Sequence, residues 1–253
     1  MRTKILTLLL VILLFLILQV TSSAMDYRQI GGYVYEGEHR FVDNVWNFIS
    51  QFDDGVNPWE AVSGKNWSRA QYYWCEDFEF NTSHQNYVDA MDFAYYSGHG
   101  SPYSIGMRPG EGVWLPDCPG YGDLPTGGDL EFIVFQSCAV IPAPPDRADW
   151  YSNWWYSGGK HIFQGLHQAC GYRTNSWSGN SVSTLFGNYV KIGQPVWQAW
   201  FHAVQTQRTW HGGGVYPGYA CAVMSPRSEG DSIYYYSADP PATEHWLRIY
   251  WEE

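Results

Sequence analysis

The chain has 253 residues, of which 45% are hydrophobic, and a formal net charge of −11 from 14 basic and 25 acidic residues. This acidic balance argues against nucleic acid or an anionic lipid surface as a partner, because phosphate groups would be repelled. The length suits one domain that can bury a sizeable core.

Residues 1–24 have the pattern of a targeting segment. Arg2 and Lys4 precede an apolar run at 5–20, and residues 22–24 (Ser-Ser-Ala) are typical of a cleavage site. The run is long for a signal peptide and short for a membrane span. We therefore predict a signal peptide, with an uncleaved N-terminal anchor as the alternative. The protein is then secreted or on the cell surface, and one domain covers residues 25–253.

Local patterns predict alternating strands and helices along the rest of the chain. Apolar residues at helical spacing indicate amphipathic helices, and short apolar runs bounded by turn residues indicate buried strands. Helices are predicted at 41–52, 181–192 and 195–206, and strands at 30–35, 92–97, 131–136, 219–224 and 245–251. The predicted fold class is α/β, with a mainly parallel sheet and helices on both faces.

Residues 101–128 separate the second and third of these strands. They are rich in Gly and Pro and have no periodicity, so we predict a long loop without regular structure. Such a loop forms either a wall of a cleft or a surface excursion.

The strands predicted around 92–97 and 131–136 each stop at a reactive side chain, His99 and Cys138. In open α/β sheets, chemistry takes place beyond the carboxyl ends of the strands. An adjacent imidazole promotes the thiolate and later protonates a leaving amine. The N–H groups of Gly100 and Cys138 are candidates for an oxyanion hole. The pattern predicts a His99–Cys138 dyad on two neighbouring strands.

The hydrophobic block that ends in Ser-Gly-His-Gly at 97–100, followed by one that ends in Gln-Ser-Cys at 136–138, resembles the signatures of the caspase, legumain and gingipain clan of cysteine peptidases (clan CD). Residues 161–167 resemble the next core strand of that clan, and residues 181–200 are similar to the helix–Gly–helix segment of its gingipain-like members. Val140 departs from the pattern, since caspases carry a glycine there.

The resemblance implies a caspase-like three-layer fold and a cysteine peptidase that acts on peptide or protein substrates without a cofactor. Ligation of peptides as a side activity is also implied, as in legumain-like enzymes. Clan members build their specificity pocket from loops beside the catalytic strands. The substrate-binding candidates are therefore Trp150, Trp154, His167, Asp146 and Arg147.

Substrate preference depends on which of these side chains forms the pocket. Asp146 and Asp149, on a chain of negative net charge, favour a substrate with Lys or Arg before the scissile bond. A pocket built on Arg147 would instead select Asp or Glu, and Asn is a further alternative. We predict a basic residue.

Five cysteines, at positions 75, 118, 138, 170 and 221, make an odd count for an exported chain. The simplest arrangement is two disulfides with Cys138 unpaired, and the alternative is five reduced cysteines. His167 and Cys170 lack a second pair such as CxxC or HExxH, so no metal site is predicted.

Two other functions remain open from the sequence. The fold could carry a catalytically silent binding domain, because fold does not fix function. A secreted glycan-binding module is the other alternative, since 14 Trp and 20 Tyr could stack on sugar rings.

Overall fold

A computed structural model describes ten segments of the chain. The predicted leader, residues 1–24, lies outside them. The described residues are 27–34, 39–52, 61–62, 65–108, 111–122, 128–155, 162–177, 181–211, 214–241 and 246–253.

The described residues form four α-helices and thirteen strands, eight of which belong to one central sheet. The strands are β1 (Tyr27–Val34), β2 (Ala61–Val62), β3 (Lys65–Tyr72), β4 (Phe93–Ser97), β5 (Gly100–Ser101), β6 (Ser104–Gly106), β7 (Gly112–Trp114), β8 (Phe132–Gln136), β9 (Gln168–Tyr172), β10 (Thr209–His211), β11 (Gly214–Tyr216), β12 (Ala220–Met224) and β13 (Arg248–Trp251). The helices are α1 (His39–Ile49), α2 (Trp150–Trp155), α3 (Val182–Lys191) and α4 (Val196–Thr206).

The central sheet has the strand order β13-β12-β9-β8-β4-β1-β3-β2. Five adjacent strands, from β9 to β3, are parallel, whereas β12 and β13 at one edge and β2 at the other join by antiparallel pairing. The predictions of a mainly parallel sheet and of β4 beside β8 are confirmed. The carboxyl ends of the five parallel strands therefore meet at one edge of the sheet.

Helices α1, α3 and α4 pack on one face of this sheet and confirm the three helices predicted from periodicity. Phe48 of α1 stacks on Tyr95 of β4 with ring centroids 4.4 Å apart, and Phe186 of α3 lies 5.3 Å from Phe48. Trp200 of α4 meets Phe186 edge-on at 5.4 Å. Gly193, with φ +86°, forms the left-handed turn that ends α3 before α4 begins.

The opposite face is covered mainly by short elements. Alternate strand residues, including Tyr96 and Phe135, pack there against the small sheet β5-β6-β7, the six-residue helix α2 and several 3-10 turns. Helices were predicted on both faces of the sheet. The structure has three longer helices on one face and one short helix on the other. Residues 101–128 were predicted to lack regular structure, and this prediction is wrong. The region contains short strands that pair with one another.

The resemblance implied a strand at 161–167. That expectation is wrong for the described residues 162–167, since β9 covers Gln168–Tyr172. The earlier apolar residues are buried, but Phe163 only forms an isolated bridge with Tyr121. Phe132 of β8 pairs with Gln168, so the residue before β9 lies at the amino end of the strands. The expected strand would have placed His167 at its carboxyl end. Because β9 begins only at Gln168, His167 lies at the amino end instead.

Candidate active site

The register of β4 and β8 brings His99 and Cys138 to the same edge of the sheet. Ser97 pairs with Gln136 as the last pair of the two parallel strands. His99 and Cys138 each follow two residues later, so the two chains leave the sheet at the same level. A buried hydrogen bond from Asn44 Nδ2 to Ser97 Oγ, 3.2 Å long, ties the end of β4 to α1.

A pocket of about 160 Å³ opens at this edge. Four segments contribute to it: the first turn of α1, the turn after β4, the end of β8 and the loop after β9. The lining residues are Arg40, Phe41, Gly98, His99, Gln136, Cys138, Ser176 and Trp177.

His99 is exposed, and its backbone is held more tightly than its surface position suggests. Its carbonyl accepts hydrogen bonds from the Gly106 N–H at 2.8 Å and from the Tyr96 hydroxyl at 3.1 Å. Its ring and that of Phe41 form a T-shaped pair with a centroid distance of 5.2 Å and an interplanar angle of 81°. The hydrogen bonds hold the His99 backbone, and the Phe41 ring packs against its imidazole.

Gly100 has a packing role that its sequence position did not indicate. A Cβ at this residue would lie 2.3 Å from Ser137 Oγ and 2.7 Å from Val140 Cγ2. The turn after β4 can therefore pack against the turn after β8 only because residue 100 has no side chain. Gly106 donates its N–H to the His99 carbonyl, so these two residues form a hydrogen-bonded pair. In an antiparallel ladder the next pair, Gly100 and Ile105, is then not hydrogen-bonded. The Gly100 N–H therefore points away from β6.

The sulfur of Cys138 is half-buried and lies against residue 176. The Ser176 N–H donates to Sγ at 3.3 Å, the thiol donates to the Ser176 carbonyl at 3.4 Å, and the two side chains approach to 3.6 Å. The next residue, Ala139, has φ +53°, a left-handed conformation that is rare for alanine. Its N–H donates to the Thr174 carbonyl at 2.8 Å. This contact joins the turn after β8 to the loop after β9.

Gln136 supplies a polar group to the pocket. Its Oε1 accepts a hydrogen bond from the Tyr95 hydroxyl at 2.7 Å. Burial raises the pKa of Tyr95 far above its usual range, so its hydroxyl remains a donor. The Gln136 Nε2 group is buried and has no hydrogen-bond partner among the described residues. An acceptor on a bound molecule would satisfy it.

His167 does not lie in this pocket, contrary to prediction. Its N–H donates to the Glu131 carbonyl, which places it at the amino end of β8, roughly 20 Å along the strand from Cys138. Its ring is fully buried, with Nδ1 2.6 Å from Asp231 Oδ2 and Nε2 3.4 Å from Asp239 Oδ1. Burial lowers the pKa of His167, but the two carboxylates outweigh burial and raise it above 6.5. His167 therefore lies at the amino ends of the parallel strands, whereas the pocket lies at their carboxyl ends.

The two charged specificity candidates also lie outside the pocket lining. Asp146 accepts two hydrogen bonds from Arg173, at 2.9 and 2.7 Å, and one from the Ala143 N–H at 2.9 Å. Partial burial raises its pKa, but these hydrogen bonds lower it below its usual value. Arg147 is exposed, and Asp149 accepts a hydrogen bond from Tyr103. These contacts stabilise the loop after β8.

The tryptophan candidates serve the core. Trp154 is 1% exposed, and Trp150 is half-buried against the same hydrophobic cluster. Neither lines the pocket, whose aromatic lining comes from Phe41 and the exposed Trp177 instead. Sequence reasoning missed Arg40, Phe41, Gln136, Ser176 and Trp177. Only Gln136, two residues before the cysteine, carried a signal, because it belongs to the motif itself.

All five cysteines lie within the described residues, and none forms a disulfide. The predicted pair of disulfides is therefore not seen, and the structure agrees with the alternative of five reduced cysteines. Cys170 and Cys221 lie on adjacent strands, but Cys170 pairs with Ala222 and Cys221 with Gly171. Because side chains alternate along a strand, the two thiols point to opposite faces of the sheet. Burial raises the pKa of both.

One group of carboxylates among the described residues could hold a cation. Asp92, Asp129 and Glu131 bring oxygen atoms within 4.8 Å of one another. They lie where β4 and β8 begin, at the opposite end of these strands from Cys138. The sequence raised His167 and Cys170 as a possible zinc-binding pair. In the structure their environments differ: His167 contacts carboxylates, and Cys170 lies in the apolar core.

The fold and site define a class: an α/β protein with a histidine and a cysteine in one pocket at the carboxyl ends of neighbouring parallel strands. Residues 40–240 match the family described as a domain of unknown function (DUF6345), and the chain belongs to that family. No curated protein matches it significantly. Within the described residues, no helix is long and apolar enough to cross a membrane.

Proposed function

We propose that this protein is an exported cysteine peptidase with a caspase-like three-layer fold, in which His99 and Cys138 form the catalytic dyad. One observation carries the proposal: both side chains line a single pocket at the edge where the parallel strands end. The sheet order that places β4 beside β8 supports it, as does the packing of the two turns through Gly100.

The proposed reaction begins when the Cys138 thiol gives its proton to His99 and Sγ attacks the carbonyl carbon of a peptide bond, so that the carbonyl electron pair moves to oxygen. The N–H groups of Gly100 and Cys138 are the proposed donors to this oxyanion. His99 protonates the leaving nitrogen as the C–N bond breaks, which leaves a thioester. Water then attacks the thioester and gives its proton to His99, so that the acid product leaves and the thiol is restored. An amine in place of water would ligate two peptides.

The pocket favours an acidic or carboxamide side chain in the substrate. The predicted preference for a basic residue depended on Asp146 and Asp149, which do not line the pocket. Of the described lining residues, Arg40 alone carries a permanent charge, and the Gln136 amide offers a buried donor. A guanidinium and an amide N–H both pair with a carboxylate or a carbonyl oxygen, and they reject an ammonium group.

A thiol-reactive peptide probe and a peptide library test the dyad. We expect Cys138→Ala to abolish labelling, and both Cys138→Ala and His99→Ala to lower kcat/KM at least about a thousandfold. His202→Ala is the matched control, because this exposed histidine on α4 contacts Gln194 rather than the pocket. A folded wild-type protein that cleaves no peptide in the library would refute the peptidase proposal and favour a binding domain.

A further inference from the structure

The hydrogen bonds of the Cys138 sulfur go to a residue outside the proposed dyad. Among the described residues, Sγ is hydrogen-bonded to the Ser176 main chain through both its N–H and its carbonyl, rather than to His99. The Ser176 hydroxyl adds a longer contact of 3.6 Å. The position of the nucleophile is therefore set by the loop after β9.

That loop is anchored on both sides of Ser176. On one side, the Thr174 carbonyl accepts a hydrogen bond from Ala139, the neighbour of the nucleophile. On the other, the Trp177 N–H donates to the Pro217 carbonyl at 3.0 Å. Gly218, with φ +136°, allows close approach, because a Cβ there would lie 3.0 Å from the Asn175 carbonyl. The Ser176 N–H is thus held in a fixed direction.

We propose that the Ser176 main-chain N–H is a positioning group that holds the Cys138 sulfur and stabilises its thiolate. A hydrogen bond to an ionised acceptor is roughly twice as strong as one between neutral groups. On ionisation the sulfur loses its donation to the Ser176 carbonyl, while the bond from the N–H becomes charge-assisted. The loop after β9 thereby favours the nucleophilic form before any substrate binds. Its relevance to peptide cleavage rests on the proposed function, whereas its effect on the thiol does not.

Two variants remove the N–H and one leaves it in place. Ser176→Pro deletes the donor, and incorporation of the α-hydroxy analogue of serine at position 176 replaces the amide with an ester of nearly the same shape. Ser176→Ala is the matched control, because it removes only the hydroxyl. Thermal unfolding of each variant tests whether the fold is retained, and the ester keeps the test valid if the proline variant fails to fold.

The measurement is the rate of Cys138 alkylation by iodoacetamide as a function of pH. Because the lost hydrogen bond is charge-assisted in the thiolate, we expect the ester variant to be alkylated roughly tenfold more slowly at pH 7, and Ser176→Ala to be slowed less. An unchanged profile in the ester variant would overturn the proposal, and so would an equal shift in Ser176→Ala. Because alkylation needs no peptide, a shifted profile in a protein without peptidase activity would support this inference and reject only the proposed function.

Discussion

Substitution of Gly100 by alanine tests whether the two turns of the candidate site depend on each other. The new Cβ would lie 2.3 Å from Ser137 Oγ, 2.7 Å from Val140 Cγ2 and 2.9 Å from the Ser104 carbonyl. Ordinary contacts of this kind are longer than 3.4 Å, so the turns must separate by roughly 0.5–1 Å. Overpacking of this size costs about 1–3 kcal/mol.

For a chain of this length, each kcal/mol lowers Tm by about 2–4 °C, so we expect Gly100→Ala to melt roughly 2–12 °C lower. Separation of the turns also moves His99 relative to Cys138, and a misplacement near 1 Å lowers turnover about a hundredfold. Thermal unfolding and kcat/KM on a peptide substrate measure the two effects. Gly112→Ala is the matched control, because among the described residues its Cβ would meet only the Ile105 carbonyl, at 3.4 Å.

The same prediction includes a rescue. The buried Ser137 hydroxyl has no hydrogen-bond partner among the described residues, so Ser137→Ala alone should be nearly neutral for stability. Combined with Gly100→Ala, it removes the shortest contact and should restore part of the lost Tm. Equal melting temperatures for Gly100→Ala, Gly112→Ala and wild type would refute the packing argument.

Three further predictions concern charge and thiol chemistry. Because the pKa of His167 is raised in the folded state, its stabilisation is complete below pH 6.5 and is lost as pH rises through the folded value. His167→Gln should therefore lower Tm at pH 6 and flatten its decline towards pH 9. Native protein should react with one equivalent of Ellman's reagent, at Cys138, and denatured protein with five. Arg40→Glu should shift cleavage from acidic to basic side chains, whereas Asp146→Asn should not.

Parallel Tm-versus-pH curves for wild type and His167→Gln would show that the buried pair does not titrate over this range. A denatured count below five without reductant would indicate a disulfide. Unchanged selectivity in Arg40→Glu, alongside altered selectivity in Asp146→Asn, would return the specificity pocket to the loop after β8.

The sequence by itself determined the strands that precede His99 and Cys138 and the helices that cover these strands. The runs that became β4 (FAYYS) and β8 (FIVFQ) are apolar or aromatic up to a polar last residue, so their length and end points follow from local composition. The amphipathic spacing of α1, α3 and α4 likewise depends only on neighbouring residues, because the helical repeat is local. His99 and Cys138 followed from these elements, since both lie where a predicted strand stops.

Tertiary structure alone decided which side chains surround them. The apolar run before His167 has the composition of a strand, but its bridge to Tyr121 keeps it outside the sheet, and β9 begins one residue later. The pocket takes Arg40 from α1 and Ser176 from the loop after β9, and no local pattern links segments so far apart in the chain. Strand order and register bring them together, and both are set by packing across the whole sheet. The sequence could therefore predict that His99 and Cys138 follow neighbouring strands, but not which residues surround them.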